Sequence, residues 1–153
     1  MMKHLYYLKY LLTHKWYVFI ECCKRGRIWR GITHDLSKFY PSEYFPWVEN
    51  FYGKDPNGKE TKRNFRYAGL YHKNRNPHHW QYWTFYDRNA KKEVALRMPD
   101  EYIDEMISDW IGAGKAKGEA GIDIKEWYEM VKEDLILHKK TRQKLERRIY
   151  GTK

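Results

Sequence analysis

The first two dozen residues, MMKHLYYLKYLLTHKWYVFIECCK, constrain the fold more than any other stretch. With about 100° of rotation per residue, Leu5, Leu8, Leu12, Trp16, Phe19 and Cys23 fall within about 40° of one line. That spacing predicts a helix over residues 3 to 24, ended near Gly26. The opposite side carries His14 with Tyr10, Tyr17 and Glu21 around it, a second face that is polar and aromatic. A helix with two such faces belongs at the centre of a bundle. Its apolar stripe is expected against the core and its polar face against a site.

Further along, Ile28 to Phe39 reads as a short helix or turn, and Pro41 suits the first turn of a helix running to about Tyr52, kinked or shortened by Pro46. YGKDPNGKETKR (52–63) has the turn residues and charge of the main surface loop. Asn64 to Lys73 reads as helical, and NRNPHHW as the restart of a helix with Asn76 as N-cap and Pro77 as first residue. YDRNAKKEVALR (86–97) is a turn and a short extended piece, compatible with a small hairpin. Pro99 opens a helix, PDEYIDEMISDWIG, in which Asp109 shares a face with Glu105 and Tyr102 while Asp104 lies about 140° away. Asp109 is therefore the aspartate expected to point inward with a polar companion. GAGKAKGEAG (112–121) reads as a flexible connection; its Gly-Lys is no phosphate loop, because the G-x-x-x-x-G-K-[ST] spacing fails and a helix precedes it. Asp123 and Glu126 suggest a capping box for a helix to Leu137, with a basic helix after it to Tyr150. No internal repeat or second core is evident. The expectation is one all-α domain over 1–153, a bundle of about six or seven helices with at most one small hairpin.

Thirty Lys and Arg stand against 20 Asp and Glu, and a net charge of +10 favours an anionic partner such as a nucleotide, a nucleic acid or a membrane surface. The 14 Tyr, 7 Trp and 6 Phe suit a wet pocket or an interface as well as a core. Cys22 and Cys23 are the only cysteines, and as helical neighbours they cannot staple distant segments, which fits a reducing compartment. Lys9, His14 and Lys15 interrupt the N-terminal apolar run before it reaches the length of a signal peptide or membrane span, so a cytoplasmic location is expected.

The chemistry concentrates in histidine and aspartate. His14 lies on the first helix, His34 stands beside Asp35, YHKNRNPHHWQYW supplies His72, His78 and His79, and Asp109 and Glu105 add carboxylates from a later helix. Imidazole with carboxylate suits Mn, Fe, Co, Ni or Zn rather than a dedicated Ca or Mg cage. In their order along the chain these residues resemble the HD-domain superfamily of metal-dependent phosphohydrolases: an early His, a central His-Asp pair followed by Lys at +3, further His, and a late Asp. The resemblance covers roughly residues 10 to 112. At a finer level HDLSKF, NPHHWQYW, MPDEYIDEMISDW and LHKKTR (137–142) look like an uncharacterised bacterial and phage family known only as a domain of unknown function.

The superfamily resemblance implies an all-helical HD-like bundle in which His14, His34, Asp35 and Asp109 hold one metal ion. His72, His78 and His79 would add a second, with Asp35 bridging. It implies a phosphohydrolase acting on a phosphomonoester or phosphodiester, most naturally a nucleotide, by metal-activated water. Lys38, and Arg75 on the histidine-rich loop, would neutralise the phosphate; Glu105 would move protons; Tyr71 and Trp80 would line the pocket. The Gly-Tyr-Pro signature of cyclic-dinucleotide members is absent, and the spacing around the second histidine cluster departs from the standard. Two rival expectations are an HD-type di-iron oxygenase using the same ligand types, and a non-catalytic nucleic-acid-binding protein whose basic tail, HKKTRQKLERRIYGTK, carries the affinity.

Overall fold

A computed structural model describes residues 2–118 and 123–151. The chain begins with helix α1 (Met2–Lys24), which turns at Gly26 into the six-residue α2 (Ile28–Thr33). His34 and Asp35 follow, then a 3-10 turn over Leu36–Phe39. α3 (Pro41–Tyr52) starts on Pro41 and runs through Pro46. α4 (Lys59–Arg75) leads into a 3-10 turn at Trp80–Trp83 and the hairpin of β1 (Thr84–Asp87) and β2 (Lys92–Ala95), antiparallel with Thr84 opposite Ala95. α5 (Asp100–Ala116), α6 (Ile124–Val131) and α7 (Lys139–Tyr150) complete an all-α bundle with one small hairpin.

The most extensive packing is between α1 and α5. Gly112 makes it possible, since a Cβ there would lie 2.5 Å from Val18 Cγ2 and 2.9 Å from the Val18 nitrogen. The Gly-rich segment expected as a flexible connection is therefore, through Ala116, the last part of α5, and its first residue, Gly112, serves close helix contact; Glu119, Ala120 and Gly121 lie outside the described residues. Gly31 does the same for α2, where a Cβ would meet Phe19 Cα and Cys22 Cβ at 3.0 Å. These two contacts draw α5 and the α2 end onto α1. One core cluster joins Met98, Ile103, Met106, Ile107, Tyr128, Leu135, Leu145 and Ile149; a second joins Tyr7, Leu11 and Val48.

Several expectations are corrected. The face of α1 that is buried carries Tyr7, Leu11, His14, Val18, Glu21 and Cys22, whereas Leu5 is 60% exposed, Leu12 53% and Trp16 60%. The regular apolar stripe is turned largely to solvent, with Leu8 and Phe19 half-buried, because the other face meets α5. The 52–63 loop is shorter than expected, since α4 starts at Lys59. Asn76 caps the C-terminus of α4: its amide donates to the His72 carbonyl at 2.8 Å, which satisfies a carbonyl left open by the helix end, and no α-helix restarts at Pro77. Asp123 does cap α6, accepting from the Lys125 amide at 3.1 Å, but the helix gives way to a 3-10 turn after Val131 instead of reaching Leu137. Both cysteines are free thiols, Cys22 buried and Cys23 exposed. Among the described residues no helix is long and apolar enough to cross a membrane.

Candidate metal centre

Five segments converge on one buried cluster: the middle of α1 (His14), the end of α2 (His34, Asp35), the last turn of α4 (His72), the turn after it (His78, His79) and one face of α5 (Glu105, Asp109). Neighbours such as His34 and Asp35 would point apart in a helix. Here His34 leaves α2 with φ −50 and ψ 128, Asp35 takes a left-handed conformation, φ 55 and ψ 26, and both side chains turn inward. Such a conformation costs a non-glycine residue about 1 kcal/mol, and aspartate tolerates it better than most. The same turn carries Ser37 and Lys38 into the interior.

His14 Nε2, His34 Nε2, Asp35 Oδ2 and Asp109 Oδ1 form a first set. Five of their separations are 3.1, 3.2, 3.3, 3.4 and 3.4 Å. Donors with these separations can stand about 2.0 Å from a common centre, the usual length of a Zn–N or Zn–O bond. The other carboxylate oxygen, Asp35 Oδ1, lies 3.3 Å from His72 Nε2 and 3.4 Å from His78 Nε2, and with His79 these make a second set. Nε2 of His78 and of His79, and Asp35 Oδ1, are buried without a hydrogen-bond partner, while Asp35 Oδ2 has the Lys38 ammonium against it. Orphaned lone pairs gathered in this way are costly unless something positive sits among them. The donor chemistry and the spacing both fit a divalent transition metal ion.

Two outer carboxylates orient the rings. Glu105 Oε1 accepts from Nδ1 of His34 and from Nδ1 of His78, each at 3.1 Å. Glu43 Oε2 accepts from His72 Nδ1 at 2.9 Å and from the Ser37 hydroxyl at 2.9 Å. With Nδ1 donating outward, Nε2 of each ring is left to bind inward. His34, His78 and Glu105 also lie close enough together to be grouped as ligands, but the Nε2 atoms of both rings face aspartate, so Glu105 is better placed as their support.

The electrostatics agree. Burial pushes the Asp35 carboxyl up, but His34, Lys38 and His72 outweigh it and hold it well below the carboxylate range. Asp109 is held well below for the same reason, by hydrogen bonds from His14 and His34 against burial. Burial lowers the His34 imidazole, yet Asp35, Asp109 and Glu105 lift it well above its ordinary value. Burial, reinforced by His78, pushes His79 well below, leaving a neutral ring with a free lone pair. Protons thus stand in for the cationic charge that this cluster of carboxylates requires.

Lys38 is buried, with its ammonium against Asp35 Oδ2 and 5.0 Å from the Trp47 ring centre; Asp35 and Asp109 overcome burial and keep it charged. The Asp109 side chain is 15% exposed where those of His34 and Asp35 are fully buried, so the first set meets solvent at Asp109. Tyr10 stacks on His14 with ring centres 6.2 Å apart.

Four of the expected residues are placed away from the inward-facing donor atoms. Glu105 lies behind the rings, its Oε1 3.1 Å from Nδ1 of both His34 and His78. Arg75 donates to Glu43 Oε1 at 2.7 Å and to Ser42 at 2.9 Å, which fixes the Glu43 carboxylate behind His72. Tyr71 is exposed beside Tyr67, and Trp80 packs half-buried on the larger core cluster; neither lines the ligand atoms. Glu43, Ser37 and Asn76 were not anticipated. Asn76 donates to Ser37 Oγ at 2.7 Å, and their only signal in the sequence is proximity to His34-Asp35 and to the histidine-rich turn. Asp104, on the face of α5 away from Asp109, is also buried, but its carboxylate pairs with Arg27 at 2.8 Å and Arg148 at 2.7 Å.

A model of one family matches residues 3–150: DUF5662, a family of unknown function. No curated protein and no solved structure matches.

Proposed function

The chain belongs to the DUF5662 family, and from its His/Asp centre we propose that it is a metal-dependent phosphohydrolase acting on a phosphomonoester or phosphodiester, with a nucleotide as the natural class of substrate. One observation carries the reading. The two oxygens of Asp35 are divided between two histidine-rich donor sets, with the buried ammonium of Lys38 beside them. Mn, Fe, Co, Ni or Zn held there would lower the pKa of a bound water toward about 7 and polarise a phosphoryl oxygen.

This chain's own groups account for the rest. His14, His34, Asp35 and Asp109 hold the first position, and His72, His78 and His79 complete the second around Asp35. Glu105 and Glu43 keep the rings aligned, so little reorganisation is needed on binding. Lys38 is the cation placed to neutralise a phosphate oxygen, since its partner Asp35 is itself a ligand. The net charge of +10 draws an anionic substrate in. The ligand order along the chain supports the same reading, through its resemblance to HD-type phosphohydrolases.

The test starts with elemental analysis of the purified protein and of His34→Ala, followed by turnover of p-nitrophenyl phosphate and bis-p-nitrophenyl phosphate with added Mn, Co or Zn. One or two equivalents of metal, lost in His34→Ala together with turnover, support the proposal. A bridged, imidazole-rich pair of positions is also what a di-iron oxygenase uses; iron with a visible absorption band and no ester turnover would favour that chemistry. No metal in either protein, even after loading, refutes both readings.

A further inference from the structure

The outer face of α4 carries a surface that the metal centre does not explain. A groove of about 480 Å³ beside this helix is lined by Lys59, Lys62, Arg63 and Arg66 together with Tyr67 and Leu70, and no carboxylate lines it. Lys59, Arg66 and Lys73 have no acidic partner among the described residues; Lys62 donates to the Asn50 amide oxygen, and only Arg63 is paired, with Glu60 at 3.4 Å. Next to the groove the helix presents a ladder of flat groups at four-residue steps. The Tyr67 and Tyr71 rings are 6.4 Å apart and within 27° of parallel, and the Arg75 guanidinium lies 5.2 Å from the Tyr71 ring centre. Tyr67 is 53% exposed and Tyr71 40%.

We propose that this face of α4 is a docking track for single-stranded nucleic acid. A row of cations follows a phosphate backbone, and aromatic faces beside it accept unpaired bases without regard to sequence. From Lys59 to Arg75 the helix rises roughly 24 Å, enough for a site of about four nucleotides, the small end of the range for such modules. A duplex would not offer free base faces to Tyr67 and Tyr71, and unpaired bases on a phosphate backbone match both the cations and the parallel rings. The basic C-terminal helix is the weaker candidate, because three of its six cations are committed within the fold. Lys144 pairs with Asp100 at 2.5 Å, Arg148 with Asp104 at 2.7 Å, and Arg142 donates to the Leu135 carbonyl at 2.7 Å. The cationic part of the track stands apart from the metal reading, since His72 lies on the opposite side of α4 from Arg63; only Arg75, at the far end, is shared with Glu43.

The test is fluorescence anisotropy of a labelled 12-nucleotide oligo-dT with the full chain in excess chelator, which separates binding from any hydrolysis. About four phosphate contacts predict a slope of roughly −3 in log K against log salt. Arg63→Gln combined with Arg66→Gln should halve that slope, and Tyr67→Ala should weaken binding about tenfold with the slope unchanged. Tyr67→Phe should restore binding, His34→Ala should bind like the wild type, and Lys139→Gln with Lys140→Gln should change little. Absence of saturable binding at low salt overturns the proposal. So does equal loss in the Lys139/Lys140 variant, or a Tyr67→Ala variant that binds as tightly as wild type.

Discussion

Glu105→Gln tests whether the two metal positions share a support. Glu105 Oε1 holds His34 of the first set and His78 of the second, each through Nδ1 at 3.1 Å. Burial pushes the Glu105 carboxyl up, but hydrogen bonds from these two rings outweigh it and keep it below its ordinary value, so an ionised acceptor faces both. Glutamine keeps the oxygen and the size and removes the charge. A hydrogen bond to a charged group contributes about 1.5–3 kcal/mol and one between neutral groups about 0.5–1.5, so each ring loses about 1–1.5 kcal/mol of orientation and donor strength. At about 1.4 kcal/mol per factor of ten this is roughly five- to tenfold weaker metal binding at each position, near the lower end of the ~10–100-fold losses typical of such outer partners. Glu43→Gln is the contrast, because His72 is the one histidine of the two sets that Glu43 holds. Titration with Co(II), followed by visible absorption and by calorimetry, should show both binding steps weakened in Glu105→Gln and one in Glu43→Gln. Wild-type affinities in Glu105→Gln, or equal weakening of both steps in Glu43→Gln, would refute the shared-support argument.

Asp35→Asn keeps a side chain that tolerates the left-handed turn but loses the bridging charge, so both metal equivalents should disappear by elemental analysis while far-ultraviolet circular dichroism stays that of wild type. Retained metal at full stoichiometry would remove Asp35 from the centre. Asp109→Asn should cost metal and little stability. Asp104→Asn should keep the metal and lower stability by about 1–3 kcal/mol, because it leaves Arg27 and Arg148 unpaired at partly exposed positions; thermal melts beside metal analysis distinguish the two. Glu21 adds acid sensitivity away from the centre. Burial raises its carboxyl, but Lys115, Lys24 and Arg25 bring it down to about 2, so its stabilising effect is present above the unfolded value of about 4.5 and is lost as pH falls from there toward 2. Glu21→Gln should flatten that part of the stability–pH curve, and an unchanged curve would show that the three cations contribute nothing through it.

Helix boundaries were legible wherever punctuation was local. Gly26, Pro41, Pro99 and Asp123 each sit at the end or start of the helix they mark, because proline, glycine and a capping carboxylate act within one turn. The ligand types were legible too, since His14, His34, Asp35, His72, His78, His79 and Asp109 converge. What stayed hidden depends on neighbours distant in sequence. Glu43 is one exposed-looking residue in PSEYF until α3 packs on α4 and brings it 2.9 Å from His72. Arg75 looked free to meet a phosphate until the same packing gave it Glu43. Asn76 could cap either the helix before it or one after it, and the turn at Pro77 decides for the former.

The misread face of α1 shows why apolar periodicity alone is an incomplete guide near a site. Tyr7, Leu11, His14, Val18 and Glu21 are spaced 4-3-4-3, which is as regular a helical seam as Leu5, Leu8, Leu12, Trp16 and Phe19. Two of its five positions, His14 and Glu21, are strongly polar, so a count of apolar residues favours the other stripe. In the folded chain those two positions are where α1 meets charged groups from α5. His14 lies 3.1 Å from Asp109, and Glu21 lies 2.8 Å from Lys115. Burying either one alone would carry a desolvation penalty of several kcal/mol, and only a partner on the facing helix offsets it. The direction in which α1 faces is therefore set by α5, and in particular by Gly112, which brings the two backbones close enough for His14 and Asp109 to meet. Gly112→Ala should then disturb the metal centre without touching a ligand: a Cβ 2.5 Å from Val18 Cγ2 forces α1 and α5 apart, and a displacement of about 1 Å exceeds the roughly 0.5 Å within which a set of donors stays productive. Weakened metal binding in a still-helical Gly112→Ala protein is the expected result, and wild-type affinity would show that the centre tolerates the separation.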